Sequence, residues 1–319
     1  MLARLLTLLL CLGVAAGAAG AQDRATIDRV NAAVESWANG IGARETAHAV
    51  TYRGALVARE GEDRPVELAS LSKMIAAVCV AQAVTAGRLT YDDTLGELLG
   101  ERVRFGDPRV AGVTVGQLIT HSSGIWPDGT QTVMHEWVDD PEPRHWQVAE
   151  AALERGWQAG TPGAFRYNNE NYAILGAVYD AVTGGQYAAE CGAMSGATPS
   201  PRAGAYLAWG GWQMPIAEQA LFWARWFGDG GEISEAPETY PHIVVEGGAG
   251  YGMGVFQRRT GEAWNFWHAG ALCMPGRLNA GSWAVIWQGE WGVSVAVDTC
   301  PAWEDFGALD RALIAAVFR

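Results

Sequence analysis

The sequence LASLSKMIAAVCV, residues 68–80, places Ser70 and Lys73 three positions apart at the start of an apolar run. Residues three apart on a helix share one face. The run stays almost wholly apolar as far as Val84, and Gly87 is a suitable residue to end the helix. A helix that is apolar all round is normally buried. The stretch therefore predicts a buried helix that carries Ser70 in its first turn.

The lysine in this stretch is the single lysine of the chain, although Lys and Arg together number 22. Lysine can lose its proton at accessible pH, which arginine effectively cannot. A helix N-terminus and a low-dielectric surrounding both lower the pKa of an ammonium group. A neutral amine beside a serine hydroxyl is a general base for acyl transfer, so we predict that Ser70 and Lys73 are catalytic. The alternative is a helix N-cap followed by an exposed lysine, which gives the same spacing.

The first 21 residues have the pattern of a secretory signal peptide. Arg4 precedes an apolar run that ends near Val14, and small residues form a cleavage site before Gln22. We therefore predict a signal peptide at 1–21 and a mature domain at 22–319 that is periplasmic or secreted. No other apolar stretch is long enough to span a membrane, so we expect no transmembrane segment after signal cleavage.

The composition restricts the class of partner. The net charge of −13 argues against binding to nucleic acid, and we expect a small-molecule or peptide substrate instead. The six histidines are scattered, with no H-x-x-x-H or H-E-x-x-H pair. A metal-dependent hydrolase is therefore a poor interpretation, and we expect neither a metal nor a cofactor.

Strand patterns near both ends of the chain flank a mostly helical middle. Residues 48–58 read as a hairpin, residues 282–298 read as two further strands, and apolar stripes predict helices at 25–38 and 303–317. The predicted fold is α/β, more narrowly α+β. It has an antiparallel sheet built from both chain ends, flanked by helices, and a helical insertion at roughly 90–230. Residues 190–210 are rich in Gly, Ser and Pro and are expected to form a loop.

Two polar features lie outside the Ser70 helix. The run FRYNNEN, residues 165–171, precedes an apolar helix at 172–182, and such clusters often form sites. A helix-capping cluster is the alternative interpretation of this run. His121, at the end of a short helix, could be a catalytic base, but a structural histidine is preferred because Lys73 already fills that role.

Three motifs taken together resemble a known family. In order along the chain they are Ser70-Leu71-Ser72-Lys73, Tyr167-Asn168-Asn169 and His268-Ala269-Gly270. They resemble the S-x-x-K, Y-x-N and H-x-G elements of serine β-lactamase-related hydrolases, which include class C β-lactamases, D,D-peptidases and esterases. The resemblance covers most of the mature chain and implies a β-lactamase-like fold.

The resemblance also implies roles for individual residues. Ser70 would attack the carbonyl carbon and carry the acyl group, while Lys73 and Tyr167 share the proton transfers. Asn169 would orient Lys73 and the substrate amide, and backbone N–H groups would form the oxyanion hole. The substrate-binding residues implied in this way are Asn169, His268, Gly270 and Ala271, of which Ala271 and Ser70 supply the oxyanion N–H groups. Glu170 is near the second motif but does not match the deacylating glutamate of class A β-lactamases.

The expected function is an exported serine hydrolase that forms an acyl-enzyme on an ester, amide or β-lactam bond. His268 stands where the classical β-lactamases and penicillin-binding proteins have a lysine that helps to hold the substrate carboxylate. This departure favours an esterase-like or D,D-peptidase-like activity. The alternative is a non-catalytic relative that binds peptidoglycan or an antibiotic.

Four cysteines remain after signal cleavage, and export permits disulfides among them. Cys273 and Cys300 follow strands predicted to finish at the same edge of the sheet, so they are the preferred pair. The alternatives are that Cys191 pairs with one of these two, or that all four thiols are free. Cys79 lies in the apolar helix and is expected to be a buried thiol.

Overall fold

The computed structural model describes residues 23–158 and 160–319, so the predicted signal peptide at 1–21 lies outside the described residues. The α-helices of these ranges are α1 (23–40), α2 (Ser72–Thr85), α3 (Leu95–Leu99), α4 (Val115–Ile119), α5 (Thr130–Val133), α6 (His145–Arg155), α7 (Asn169–Thr183), α8 (Tyr187–Ser195), α9 (Ile216–Phe227), α10 (Glu232–Glu235) and α11 (Trp303–Val317). The β-strands are β1 (Thr46–Tyr52), β2 (Ala55–Glu60), β3 (Pro65–Glu67), β4 (Thr198–Pro199), β5 (Trp212–Pro215), β6 (His242–Val244), β7 (Gly250–Gly252), β8 (Val255–Thr260), β9 (Ala263–Met274), β10 (Leu278–Trp287) and β11 (Trp291–Val297).

The large sheet joins the two ends of the chain. Its strand order is β2-β1-β11-β10-β9-β8-β7-β6, and every neighbouring pair is antiparallel. The junction is the pairing of β1 with β11, in which Val50 lies opposite Val293. A small second sheet has the order β3-β5-β4. The predicted fold class is confirmed: an antiparallel sheet built from both chain ends and flanked by helices.

The large sheet lies between two helical layers because its strands alternate in the face they present. On one face, Val293 and Trp283 pack in a core cluster with Val34 of α1 and Leu313 of α11. On the other face, Ile286 belongs to a larger cluster that includes α2 and α7. Helix α9 covers the β1 and β11 end of this second face. The order of layers is therefore helix, sheet, helix, and α2 lies in the helical layer on the Ile286 face of the sheet.

Helix α2 is buried on nearly all sides, as its apolar sequence predicts. It packs against α7 and α8 as well as against the turn that precedes it. A disulfide joins Cys79 of α2 to Cys191 of α8, with the two Cα atoms 5.5 Å apart. The expectation that Cys79 is a thiol was therefore wrong, although its burial at 2% exposure was predicted. The pairing joins residues 112 positions apart, a distance over which cysteine spacing carries no information.

Two local predictions are corrected by the structure. Residues 190–195, expected as loop, belong to α8, whose buried side is the stripe Tyr187, Cys191 and Ser195. The Gly and Ala residues between these positions leave the sequence without a clear helical pattern of apolar and polar residues. The polar residues 169–171 lie within the first turn of α7 and do not precede it. Helix α9 begins at Ile216 because Pro215 occupies its N-cap position, and the residues before it pair in β5.

Among the described residues, none of the helices combines the length and the apolar character needed to cross a bilayer.

Candidate active site

Ser70 lies in a turn of 3-10 helix, Ala69–Leu71, which leads directly into α2. The turn is held in place by hydrogen bonds on both sides. The Leu68 N–H donates to the Trp212 carbonyl at 2.9 Å, and the Ser282 hydroxyl donates to the Leu68 carbonyl at 2.6 Å. Ser70 itself is half-buried, whereas the residues that follow it in α2 are buried. A fixed backbone and a reachable hydroxyl are what a nucleophile requires.

Gly270 of β9 lies against this turn without a side chain to separate them. A Cβ at position 270 would be 2.5 Å from Ser282 Oγ, 2.7 Å from Ser70 N and 2.9 Å from the Leu68 carbonyl oxygen. Real Cβ atoms do not approach other heavy atoms this closely, so position 270 requires glycine. The sequence prediction placed Gly270 among the substrate-binding residues. The structure shows that Gly270 lets β9 approach the Ser70 backbone, and its role in substrate binding stays a prediction.

Lys73 Nζ has three hydrogen-bond partners. It lies 3.1 Å from Ser70 Oγ, 2.8 Å from Asn169 Oδ1 and 2.8 Å from the Trp209 carbonyl oxygen. The amide oxygen and the carbonyl oxygen can only accept hydrogen bonds. In a neutral amine, the two N–H groups therefore point to Asn169 and Trp209, and the lone pair faces the Ser70 hydroxyl.

The surroundings of Lys73 favour this neutral form. The side chain is completely buried. Burial lowers the pKa of Lys73 from its usual value of 10.5 to about 7, and the carboxylate of Asp128 offsets part of this effect. At neutral pH a large fraction of Lys73 is thus uncharged, as a general base for Ser70 needs to be.

Tyr167 lies on the opposite side of Lys73 from Asn169. Its ring centroid is 4.8 Å from Lys73 Nζ, and its hydroxyl oxygen is buried close to Ser70. No hydrogen bond of normal geometry to this hydroxyl occurs among the described residues. Burial raises the pKa of Tyr167 above its usual value of 10, and the neighbouring Ser70 reduces that effect. Tyr167 therefore keeps its proton near neutral pH and is a proton donor in the resting site.

Asn169 is positioned by the loop that carries Asp128. The Asn169 backbone N–H donates to Asp128 Oδ2 at 3.0 Å, and the side-chain Nδ2 donates to Thr130 Oγ1 at 3.1 Å. Asn168 caps α7 by accepting from the backbone N–H of Glu170. Both interpretations of the polar run thus apply, because Asn168 caps the helix while Asn169 reaches Lys73.

His121 is buried behind Tyr167, with 4.4 Å between the ring centroids. Its Nδ1 accepts from the Asn168 backbone N–H at 3.3 Å and from Asn171 Nδ2 at 3.1 Å. Burial, together with the nearby charge of Lys73, holds the pKa of His121 well below 6.5. His121 is therefore neutral and supports the Tyr167 ring, in line with the preferred structural interpretation.

His268, in the third motif, lies on β9 at 2% exposure among aromatic rings. The nearest are Phe256 at 5.8 Å and Tyr167 at 6.0 Å between centroids. Burial, and secondarily the charge of Lys73, lowers the pKa of His268 to about 3. Neither ring nitrogen has a hydrogen-bond partner of good geometry within the described part of the chain. At the third-motif position, His268 therefore has a neutral ring, whereas a lysine would carry a positive charge.

Glu170 is committed to another contact. Its carboxylate forms an ion pair with Arg155, and Oε1 also accepts from the Gly129 N–H at 2.9 Å. The residue is 2% exposed, and burial raises the pKa of Glu170 while Arg155 opposes the rise. This network fixes the loop before α5, and it leaves Glu170 bonded away from Ser70.

A cavity of about 320 Å³ opens beside Ser70. Ala271, predicted to supply an oxyanion N–H, shares its wall with Ser70 and Asn169. Cys273 also lines the cavity and is bonded to Cys300, with the Cα atoms 5.4 Å apart. This is the preferred pair of the sequence analysis, and it holds the end of β9 that carries Ala271.

Two groups of the site were not predicted from the sequence. Asp128 holds the Asn169 backbone, and its only sequence signal is the Pro127-Asp128-Gly129 turn pattern. The Trp209 carbonyl binds Lys73, but every residue has a carbonyl, so no residue type could have marked it. Within the described ranges, no group of three or more His, Cys, Asp or Glu side chains is arranged to hold a metal ion.

Known proteins share sequence and fold with this chain. A model of the Beta-lactamase family matches residues 32–193, just over half of the chain. Penicillin-binding protein 4 of Amycolatopsis lactamdurans is 32% identical over 141 residues, which are 44% of this chain and 35% of that protein. The matched region thus spans about a third of the length of this curated relative.

Solved structures show the same fold. The β-lactamase/D-alanine carboxypeptidase of Yersinia pestis superposes with a TM-score of 0.73 at 16% identity, covering 93% of this chain and 99% of that one. A D-stereospecific amidohydrolase of a Streptomyces species gives 0.69 at 18% identity, covering 91% and 98%. At these identities the likeness establishes the fold, and the chemistry has to be argued from the site.

Proposed function

Because the chain belongs to the β-lactamase family, we propose that it is a serine hydrolase that works through an acyl-enzyme on Ser70. The observation that carries the proposal is the hydrogen bonding of Lys73 Nζ. Two acceptors, Asn169 Oδ1 and the Trp209 carbonyl, hold its N–H groups and direct the lone pair of the neutral amine at Ser70 Oγ. Membership of the family supports the conclusion that the protein is an enzyme, and the Lys73 geometry supports the mechanism.

Acylation follows from this geometry. Neutral Lys73 takes the proton of the Ser70 hydroxyl while Ser70 Oγ bonds to the substrate carbonyl carbon. The carbonyl oxygen becomes negatively charged and lies at the backbone N–H groups of Ser70 and Ala271. The ammonium form of Lys73 is costly in its buried place, so the proton passes on readily.

Tyr167 completes the proton transfers. It donates its phenolic proton to the leaving group as the carbonyl–leaving group bond breaks, and it is reprotonated from Lys73. The products are the acyl-Ser70 ester and a neutral leaving group. Water then attacks the ester carbonyl and gives a proton to neutral Lys73. As the ester C–O bond breaks, Ser70 Oγ takes a proton from Tyr167, and Lys73 returns a proton to Tyr167.

Ester, amide and β-lactam bonds all suit this machinery. We favour an esterase-like activity, because His268 supplies no charge for the carboxylate that D,D-peptides and most β-lactams carry, and a D,D-peptidase-like activity is the second candidate. The likeness of the fold to a D-stereospecific amidohydrolase is compatible with an amide substrate.

We also propose that the protein is periplasmic or secreted. The two disulfides support an oxidising location, and the signal-like residues 1–21 support export.

Rapid-mixing kinetics with p-nitrophenyl acetate tests the proposal. An acyl-enzyme that forms faster than it is hydrolysed releases a burst of p-nitrophenol close to one equivalent per enzyme chain. We expect this burst with the wild-type protein and none with Ser70→Ala at equal folded concentration. Retention of the burst by Ser70→Ala would contradict the proposal. So would a folded wild-type protein that binds a peptidoglycan peptide but turns over no ester or amide.

A further inference from the structure

We propose that the acyl group of the substrate is short, apolar and uncharged, and that a carboxylate on the acyl chain is rejected. The proposal rests on the proposed function of Ser70. It concerns the cavity of about 320 Å³ beside that residue.

The cavity lies on the acyl side of Ser70. Tyr167, which delivers the proton to the leaving group, is not part of the cavity wall, and neither is His268. Asn169 and Ala271, in contrast, do form the wall. A leaving group next to Tyr167 therefore directs the acyl group away from Tyr167 and into the cavity.

The cavity wall offers no charge to pair with a carboxylate. None of the described residues that form it is Arg, Lys, Asp or Glu; polar Gln131 and His135 stand beside apolar Met134, Leu272 and Met274. The Gln131 Nε2 already donates to Asp128 Oδ2. The amide group of Asn169 is already occupied, because Oδ1 accepts from Lys73 and Nδ2 donates to Thr130. A carboxylate that leaves water for a wall without a charged partner loses hydration that the wall does not replace, which disfavours it.

Of the cationic residues near this wall, Lys73 is bonded to Asn169 and to the Trp209 carbonyl, and two arginines have partners of their own. The Arg277 guanidinium donates to the carbonyl oxygens of His135 and Val138. Arg202 donates to Asp139 and to the Arg277 carbonyl oxygen. His135, also in the wall, has a side chain that is 65% exposed and lies 3.9 Å from the Glu136 carboxylate.

The size of the cavity limits the length of the acyl chain. At about 320 Å³, the cavity is at the small end of the roughly 300–1,000 Å³ typical of small-molecule sites, which suits a short acyl chain. Gly210 lies in the wall, where an added Cβ would make only ordinary contacts, 3.7 Å from Tyr206 Cβ and 3.8 Å from Leu272 Cδ2. Larger side chains at position 210 should therefore shorten the cavity without displacing the backbone.

A matched pair of esters tests the charge. p-Nitrophenyl butyrate and the p-nitrophenyl monoester of succinic acid share a leaving group and a four-carbon acyl chain, and they differ in the terminal carboxylate. We expect kcat/KM to be about 100-fold or more higher for the butyrate. Equal or better turnover of the succinate would overturn the inference while leaving the proposed function intact. Absence of turnover and of acylation with every ester would overturn both.

A second comparison tests the cavity itself. In Gly210→Val we expect kcat/KM for p-nitrophenyl hexanoate to fall about tenfold or more, and that for the acetate to change less than about threefold. Gly210→Ala should show the same trend in smaller measure, and it keeps the test usable if the valine variant folds poorly. Gly112→Val is the matched control, because Gly112 is exposed and has nothing within 4 Å of an added Cβ. Equal losses for acetate and hexanoate would overturn the assignment of the acyl chain to this cavity.

Discussion

Lys73 is a buried cationic residue whose protonation state decides whether Ser70 is activated. Its three hydrogen-bond partners hold Nζ in one place. Because Lys73 lies in the first turn of α2, the helix dipole destabilises a positive charge on it. An arginine at this place would remain charged and could not accept the serine proton. The pH dependence of the acylation rate is therefore the most direct sign of this role.

We predict that the acylation rate rises with pH and levels off above about 7. The neutral fraction of Lys73 is the active one, and its pKa is lowered to about 7, so the rate should fall about tenfold per pH unit well below that value. Burst rates measured from pH 5 to pH 9 would show this limb. A rate independent of pH across that range would contradict the role of Lys73.

Lys73→Arg should lose about 10²–10⁴-fold in acylation, the range for a lost general base, and should lack the rising limb. Thermal unfolding of the same sample separates lost chemistry from a lost fold, and Lys73→Gln provides a second, smaller variant. A folded Lys73→Arg protein with wild-type turnover would rule out the general-base role.

Tyr167→Phe should lower turnover by about 10²–10⁴-fold with little change in Tm. The stability effect is small because the Tyr167 hydroxyl has no hydrogen bond of normal geometry among the described residues. Tyr251→Phe is the matched control, since its hydroxyl is also buried and its ring lies 6.2 Å from that of Tyr167. Equal kinetic effects of the two changes would indicate that Tyr167 acts through packing.

At the element scale, the site depends on how closely β9 approaches the turn that carries Ser70. An added Cβ at position 270 would meet the backbone of Ser70 and Leu68 and also the Ser282 hydroxyl, which is held by its bond to the Leu68 carbonyl. Gly270→Ala should move the Ser70 N–H and weaken the oxyanion site. We expect a loss of about 10²–10³-fold in turnover, the effect of losing one oxyanion donor.

The control for this change is Gly40→Ala at the exposed end of α1, where an added Cβ has nothing within 4 Å. Turnover and Tm are measured on both variants. Wild-type turnover by Gly270→Ala would show that the strand and the Ser70 turn are less tightly coupled than the structure indicates.

Elements differ in how much of them the sequence predicts. The Ser70 helix and the central strands have long apolar runs or clear alternation, and these were predicted because local patterns determine such elements. Helix α8 was missed because its buried stripe consists of Tyr187, Cys191 and Ser195 among small residues. Asp128 contacts Asn169, and the Trp209 carbonyl contacts Lys73, only because the tertiary fold brings them together. Spacing along the sequence could not predict these contacts.

At the scale of the whole molecule, two disulfides tie distant parts of the chain. Cys79 and Cys191 are buried at 2% and 0% exposure, whereas Cys273 and Cys300 are exposed. Loop entropy assigns about 4.8 kcal/mol to the first bond, which joins residues 112 apart, and about 3.6 kcal/mol to the second, which joins residues 27 apart. The exposed bond is also the one that lines the cavity beside Ser70.

We predict that a mild reductant without denaturant opens Cys273–Cys300 first, because thiolates reach an exposed disulfide sulfur more easily. Turnover should fall with this step, since the bond holds the end of β9. Timed alkylation with peptide mapping identifies the thiols, and turnover is assayed in parallel. Earlier release of Cys79 and Cys191, or unchanged turnover once Cys273 and Cys300 are alkylated, would contradict the prediction.

The most direct test of the account is intact-mass analysis of the folded protein after treatment with a fluorophosphonate, followed by peptide mapping. The account predicts one phosphonyl group per chain, located on Ser70, with labelling slowed in Lys73→Arg and absent in Ser70→Ala. Labelling of a different residue, or a folded wild-type protein that takes up no label at pH 8, would contradict the claim that Lys73 activates Ser70 as the nucleophile.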